Sequence, residues 1–464
     1  MLLDPPIELI ELNIPEFGEP IVQPIVPKAT YDARILEALG RAKNLRLDAV
    51  VIYGDREHNG SMTYLTGYDP RFEEALLVLK TNHEPTLIVG NEGWGYSELV
   101  PIAHRRVLFQ SFSLMGQPRG DSKSLPTILK EAGLSFNDRV GLAGWKHFDA
   151  QDGMTETDFE VPSYIVDCMR GLVAEIVNAG PIFSNPRDGM RVINDVDQLA
   201  VFEHASTFTS QGLRNVLFNL RPAMTEFEGV RLMGQTGLPH GAHTMLSSGA
   251  RARYGLPSPS AKLIEEGDPI TMAYCVWGAL TARAGFFVKD ENGLPAEIRD
   301  YVSRLAAPYF SAAVAWYEAL EIGAPAKDLY HAVHRRIGEP FFGLALNPGH
   351  YIHLEEWLNS PVTATSQIPL RSGMALQIDI IPATGTKYFT SNIEDGIALA
   401  DLELREKFKT LYPEAWTRIE KRREFMINDL GIRLRPEVLP FSNIPAYLPP
   451  YFMSPRHAFA VRRR

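Results

Sequence analysis

Cysteine is scarce: Cys168 and Cys275 are the only two in 464 residues. That excludes a disulfide framework and a cysteine-rich zinc site. Both lie in apolar runs, Ile165-Val-Asp-Cys-Met169 and Ala273-Tyr-Cys-Val-Trp277, so small core side chains are expected. Positive charge is also short, with 46 Lys and Arg against 56 Asp and Glu and a formal net charge of −10. Such a balance argues against a nucleic-acid binder, which needs clustered cations to neutralise phosphates. The terminal Arg462–Arg464 run reads as a solvated tail. The first twenty residues contain no Lys or Arg, so the basic start of a signal peptide is missing. No apolar run reaches membrane length; the longest candidate, Ala273 to Val288, is interrupted by Arg283. The expectation is a soluble, cytoplasmic protein with neither nucleic acid nor membrane as partner.

Apolar residues are plentiful, at 45%, and the length allows two or three domains. Residues 1–28 form a Pro-rich, acidic arm without periodicity, expected to run over a surface. Regular patterning begins at Tyr31: Ile35, Leu36 and Leu39 suggest a helical face, and Asp48–Tyr53 a buried strand. Further short apolar runs at Ala75–Leu79, Thr86–Val89 and Arg139–Ala143 alternate with helical segments, which predicts an α/β domain over residues 29–188.

A second domain is predicted over 189–403. Leu213, Val216, Leu217 and Leu220 have helical spacing, ended by Arg221-Pro222. Thr225-Glu-Phe-Glu228 is a capping box, in which hydroxyl and carboxylate each satisfy a free backbone N–H. Strands are expected from His243 to Val288, helices over Ala296–Glu321 and Ala326–Arg336, and strands again over Gly373–Ala400. Residues 404–464 give a charged helix and then a Pro- and aromatic-rich strap, Pro440 to Phe452.

Several segments, in order, resemble the creatinase and Xaa-Pro aminopeptidase family. These are Tyr64-Leu-Thr-Gly67, Arg191-Val-Ile-Asn-Asp-Val-Asp-Gln-Leu199, Glu265-Glu-Gly-Asp268, Ser372-Gly-Met374 and Ile393-Glu-Asp-Gly396. The resemblance implies an α/β creatinase-like N-terminal domain with a mixed sheet, an α+β pita-bread C-terminal domain, and commonly a homodimer. It also implies five ligands for two divalent ions: two Asp, one His and two Glu. Oxygen ligands and imidazole suit such ions, and a pair of ions can generate hydroxide at neutral pH.

Counted from Gly267-Asp268, the two family Asp positions fall on Ala273 and, eleven residues later, Ala284. Asp379 stands where a Glu is expected, and Glu394 matches the last Glu. The His position falls on His350 through Gly349-His350, or on Pro348 if Glu355-Glu356-Trp357 is the anchor. A further family histidine, which handles substrate, is replaced by Leu256.

Three readings of the remaining residues compete. One is a single ion (Mn, Zn or Co) held by His350, Asp379 and Glu394, against the alternative that these acids only bond neighbouring strands or pair with Arg283. Another is metal-free acid–base chemistry by His240, His243, His350 and His353 near Glu355 and Glu356. Against it, residues three apart on a strand face opposite sides, and the Glu pair reads as a solvated face. The last is a fold kept without catalysis, whose pocket, lined by residues such as Leu256, Arg283, Glu355 and Glu356, still takes a small molecule or short peptide. The preferred expectation is a homologue without the dinuclear site or ordinary metallopeptidase activity, and without a cofactor. A hydrolase of a small amide or amidine, metal-free or with one ion, comes second, and Xaa-Pro cleavage third.

Overall fold

The chain was analysed as a computed structural model that describes residues 6–148 and 153–462. A strand already forms in the N-terminal arm: β1, Ile7–Glu11. Leu12, Ile14 and Phe17 beyond it are buried, whereas Ile21, Val22 and Ile25 are exposed.

Residues Val26–Val192 make one compact unit. The helix Lys28–Asn44 buries Ile35, Ala38 and Ala42. Leu36 is 69% exposed, because it lies off the stripe that Ile35, Leu39 and Ala42 share. Six strands follow: β2 (Ala49–Gly54), β3 (Ala75–Lys80), β4 (Thr86–Val89), β5 (Arg105–Leu108), β6 (Arg139–Ala143) and β7 (Glu175–Asn178). They form a mixed sheet ordered β5-β4-β3-β2-β6-β7. β2 is parallel to β6 and antiparallel to β3, and every residue of β2 is buried. This explains its unbroken apolar run, since both sheet faces are covered by core.

The second compact unit combines the chain up to Ile25 with everything from Ile193. The arm, the 189–403 segment and the C-terminal extension thus fall in one body, where the sequence suggested three parts. Asp195 caps the helix Val196–Asn219 by accepting from Gln198 N at 2.8 Å. The capping box forms as predicted, with Glu228 N donating to Thr225 Oγ1 at 3.1 Å and Thr225 N to Glu228 Oε2 at 2.7 Å. The main sheet uses β8 (Met245–Ser248), β9 (Pro269–Val276), β10 (Ala279–Phe286), β11 (His350–Tyr351), β12 (Ala375–Asp379) and β13 (Asn392–Leu399). Its order is β11-β12-β13-β10-β9-β8, antiparallel throughout, with β14 (Val438–Pro440) also paired to β13.

The first long helix predicted after this hairpin region is broken: a 3-10 turn at Ala296–Ile298 and a π segment at Val302–Ala306 precede Ala307–Ala319. The next runs over Lys327–Ile337. Residues 441–452 of the strap are buried, and a turn at Ile444–Tyr447 interrupts it, with Tyr447 N donating to the Ile444 carbonyl at 3.1 Å. The final strand β15 (His457–Val461) pairs antiparallel with β1, from Ile7–Val461 to Glu11–His457. Arg462 reaches Glu8 at 2.6 Å, so the expected free tail begins in a surface ion pair; Arg463 and Arg464 lie outside the described residues. Cys275 is buried, its thiol pushed up by burial, and Cys168 is half-buried. Among the described residues no helix is long and apolar enough to cross a membrane.

Candidate metal centre

β9 and β10 form a tight hairpin turned at Gly278, whose φ of +90° and closeness to Phe202 leave no room for a side chain. The register places Ala273 opposite Ala282, Ala282 opposite Glu394, and Glu394 opposite Asp379. One row of side chains therefore crosses four strands. Two residues along, Ala284 lies opposite Thr271 and Asn392 on the same face. All seven residues line a single cavity of about 290 Å³. Ala273 and Ala284 thus share the cavity face with Asp379 and Glu394, Ala273 one strand beyond Ala282 and Ala284 opposite Asn392.

Alternation sends Arg283 to the reverse face. It is fully buried, donates to both oxygens of Asp395 at 2.8 and 3.0 Å, and also binds the carbonyls of Tyr447 and Ile444. Arg283 borders the cavity through its strand position, but its guanidinium binds the strap. Its expected roles as a pocket cation and as a partner of Asp379 or Glu394 are corrected by this face assignment. Asp395, unnoticed in the sequence, is its true partner.

Of the two histidine-position candidates, the edge strand brings His350 to the acids. The Pro348 carbonyl accepts from Trp316 Nε1 at 2.7 Å, whereas His350 lies opposite Gln377, two residues from Asp379 on the same face of β12. His350 Nε2 is 3.9 Å from Asp379 Oδ2, 3.8 Å from Glu394 Oε1 and 3.1 Å from Glu356 Oε1. Its Nδ1 donates to the Tyr351 carbonyl at 3.1 Å, and Trp357 stacks on the ring at 4.1 Å. Gly349 makes the approach possible: at φ +121°, a side chain there would press on Gln377 and Trp316.

The other candidates separate. His353 packs edge-on against Phe202, 5.3 Å away in the core, and lies away from the cavity. His240 tilts over Tyr274 at 6.0 Å and does not line the cavity either. His243 is exposed at the cavity mouth, where its Nε2 bonds the Leu256 carbonyl at 2.8 Å. Leu256 lines the mouth as expected. The histidine pairs do not converge, because their members point to different sides of irregular backbone. Glu355 is not a lining residue, but Glu356 is, three-quarters buried against His350. The solvated-face reading fails for Glu356 because the turn after β11 folds inward over the histidine. Asn392, missed earlier, was legible from period two before Glu394.

Burial opposes charge on His350, yet Glu356, Glu394 and Asp379 outweigh it and raise its pKa well above the usual imidazole range. Burial also raises Glu356, but His350 pulls it below the usual value. Burial, with Asp379 alongside, pushes Glu394 well up, and burial lifts Asp379 to about 6 against the pull of His350. At neutral pH the group amounts to an imidazolium–Glu356 pair beside two crowded acids.

Among the described residues, His350, Asp379 and Glu394 form the group whose potential ligand atoms lie within 4.8 Å of one another. His350 Nε2 and Asp379 Oδ1 are buried without an aligned hydrogen-bond partner. An imidazole and two carboxylates suit a borderline divalent ion, which would also relieve the crowding of like charge. These residues fit one ion. Ala273 and Ala284, on the same cavity face, offer methyl groups only.

The backbone matches solved structures across most of the chain. An Xaa-Pro dipeptidase from Bacillus anthracis superposes with a TM-score of 0.60 at 15% identity, covering 80% of this chain and 96% of that one. A prolidase from Pyrococcus horikoshii OT3 gives 0.60 at 18%, covering 79% and 95%. An X-Pro aminopeptidase from Thermotoga maritima MSB8 gives 0.58 at 16%, covering 79% and 95%. The chain has the two-domain pita-bread fold. At the level of sequence it matches no family model and no curated protein. The pita-bread assignment therefore rests on architecture, and the chemistry must be argued from the site.

Proposed function

We propose that this pita-bread protein lacks the dinuclear metallopeptidase centre and keeps a one-ion half-site that binds a small ligand. The observation that carries this reading is the cavity face shared by Ala273, Ala284, Asp379 and Glu394, with His350 converging on the two acids from β11. An alanine offers neither charge nor donor atom, so a second ion would have no ligands of its own on that side. A divalent ion, when bound, would supply Lewis acidity and a water of lowered pKa. His350, Asp379 and Glu394 would hold it, and Glu356, 3.1 Å from His350, is placed to take or return a proton. Trp357 covers the imidazole and limits its access to water.

Elemental analysis of protein purified without chelators, paired with an Xaa-Pro dipeptide assay in added manganese or cobalt, tests this reading. One ion per chain or fewer, without robust dipeptide turnover, is the expected result. Two ions per chain with turnover would sink it. A second reading, metal-free hydrolysis of a small amide, draws on the His350–Glu356 pair. It predicts turnover that persists in EDTA and is lost in Glu356→Gln.

A further inference from the structure

The hydroxyl donors that line the cavity are engaged elsewhere, Thr271 with the Ala252 carbonyl and Thr390 with the Ser391 carbonyl, and the Asn392 amide and Trp357 indole supply further N–H groups. Glu356, Asp379 and Glu394 supply its charge, and no lysine or arginine head group enters it, because Arg283 is committed to Asp395 on the reverse face. Two acceptors are left without donors: Asp379 Oδ1 and Asn392 Oδ1, on residues 4% and 6% exposed. The remaining surface is apolar, from side chains such as Met245, Leu280, Leu346 and Ile381 over the alanine floor. A volume of about 290 Å³ is at the small end for ligand pockets.

We infer that this cavity selects a compact apolar amine, bound as its ammonium, and rejects ligands carrying a free carboxylate. The inference rests on the one-site reading above and names its ligand class. Buried acceptors without donors are costly, and an ammonium group brings three donors and a compensating charge. In the metal-free protein a carboxylate would sit beside Asp379 and Glu394, and the nearest cationic group, His350, is already paired with Glu356 at 3.1 Å, so a second anion is unfavourable in this buried site. The preference does not depend on the ion. Three carboxylates and a neutral imidazole around one divalent ion still carry one net negative charge. Asn392 makes the inference specific, because it adds an acceptor on the same floor one row from the acids.

The test is binding of three probes of matched size, benzylamine, benzyl alcohol and benzoate, to the full chain by calorimetry, with EDTA and with manganese. Benzylamine is expected to bind at least tenfold tighter than benzyl alcohol in both conditions, with benzoate undetected. Asn392→Leu should weaken benzylamine several-fold and Asn392→Asp should strengthen it, with far-UV circular dichroism confirming that both fold. Benzoate binding as tightly as benzylamine, or equal affinity in the two Asn392 variants, would overturn the inference. Amine selectivity without any bound ion would remove the one-ion reading alone. A bound ion without amine selectivity would remove the ligand class alone.

Discussion

In the metal-free protein, the crowding of acids around His350 should make stability fall as pH rises through mild acid. Asp379 is displaced from an ordinary 3.8 to about 6, chiefly by burial. Between those values the folded protein holds a proton that the unfolded chain releases, so the native state binds more protons and stability declines with increasing pH. Each tenfold change in proton affinity is worth about 1.4 kcal/mol, which gives at most about 3 kcal/mol, lost in full once pH exceeds 6. Glu394, raised for the same reason and by Asp379 itself, acts in the same direction. His350, also raised, contributes stability present below its unfolded pKa and lost as pH climbs through its folded one. Glu356, lowered by His350, has the opposite sign, but its contribution is lost only as pH falls below the ordinary Glu value. Urea unfolding in EDTA from pH 4.5 to 7 should therefore show a decline that Asp379→Asn flattens. Saturating manganese should reverse it, because the ion favours the ionised carboxylates. Parallel curves for the parent and Asp379→Asn would refute the electrostatic account of the cluster.

Asp395→Asn leaves the buried Arg283 without its counter-charge and should cost about 3–5 kcal/mol in urea unfolding. Glu203→Gln should cost a similar amount, because Glu203 is paired with both Arg418 and Arg422, at 2.6 and 2.7 Å, inside the second unit. Thr225→Ala removes one half of the capping box and should lower stability by about 1 kcal/mol, seen as a small shift in the unfolding midpoint. Ala273→Asp with Ala284→Asp should raise manganese content from one to two ions per chain by elemental analysis. In EDTA the same double variant should melt earlier than the parent, because it adds acids beside Glu394.

What the sequence made legible follows from which signals are local. The family resemblance, counted from Gly267-Asp268, singled out Ala273, Ala284 and Glu394, and the strand register puts all three on one face. Choosing between His350 and Pro348 needed the path of an irregular loop, and no periodicity records that. Glu356 was misjudged for the same reason: a charged pair in a turn looks solvated until the turn folds over a buried imidazole. Arg283 was assigned to the wrong side although period two already pointed it away from Ala282 and Ala284. Its partner Asp395 is 112 residues distant, beyond any local pattern. Strand β1 was hidden by flanking prolines, and because its pairing partner lies at the opposite end of the sequence.

The pairing of β1 with β15 also sets a timetable. Residues 7–11 leave the ribosome about 450 residues ahead of their hydrogen-bonding partners, residues 457–461. At roughly 5–20 residues per second, the first strand waits about half a minute to a minute and a half. During that interval it presents an unpaired apolar edge, Ile7 to Ile10, to other nascent chains. The Val26–Val192 unit owns its complete sheet and can close meanwhile, whereas the body holding the cavity cannot finish until its last strand arrives. Chaperone demand and aggregation during synthesis should therefore concentrate in the second body, and shortening the wait by circular permutation should relieve them.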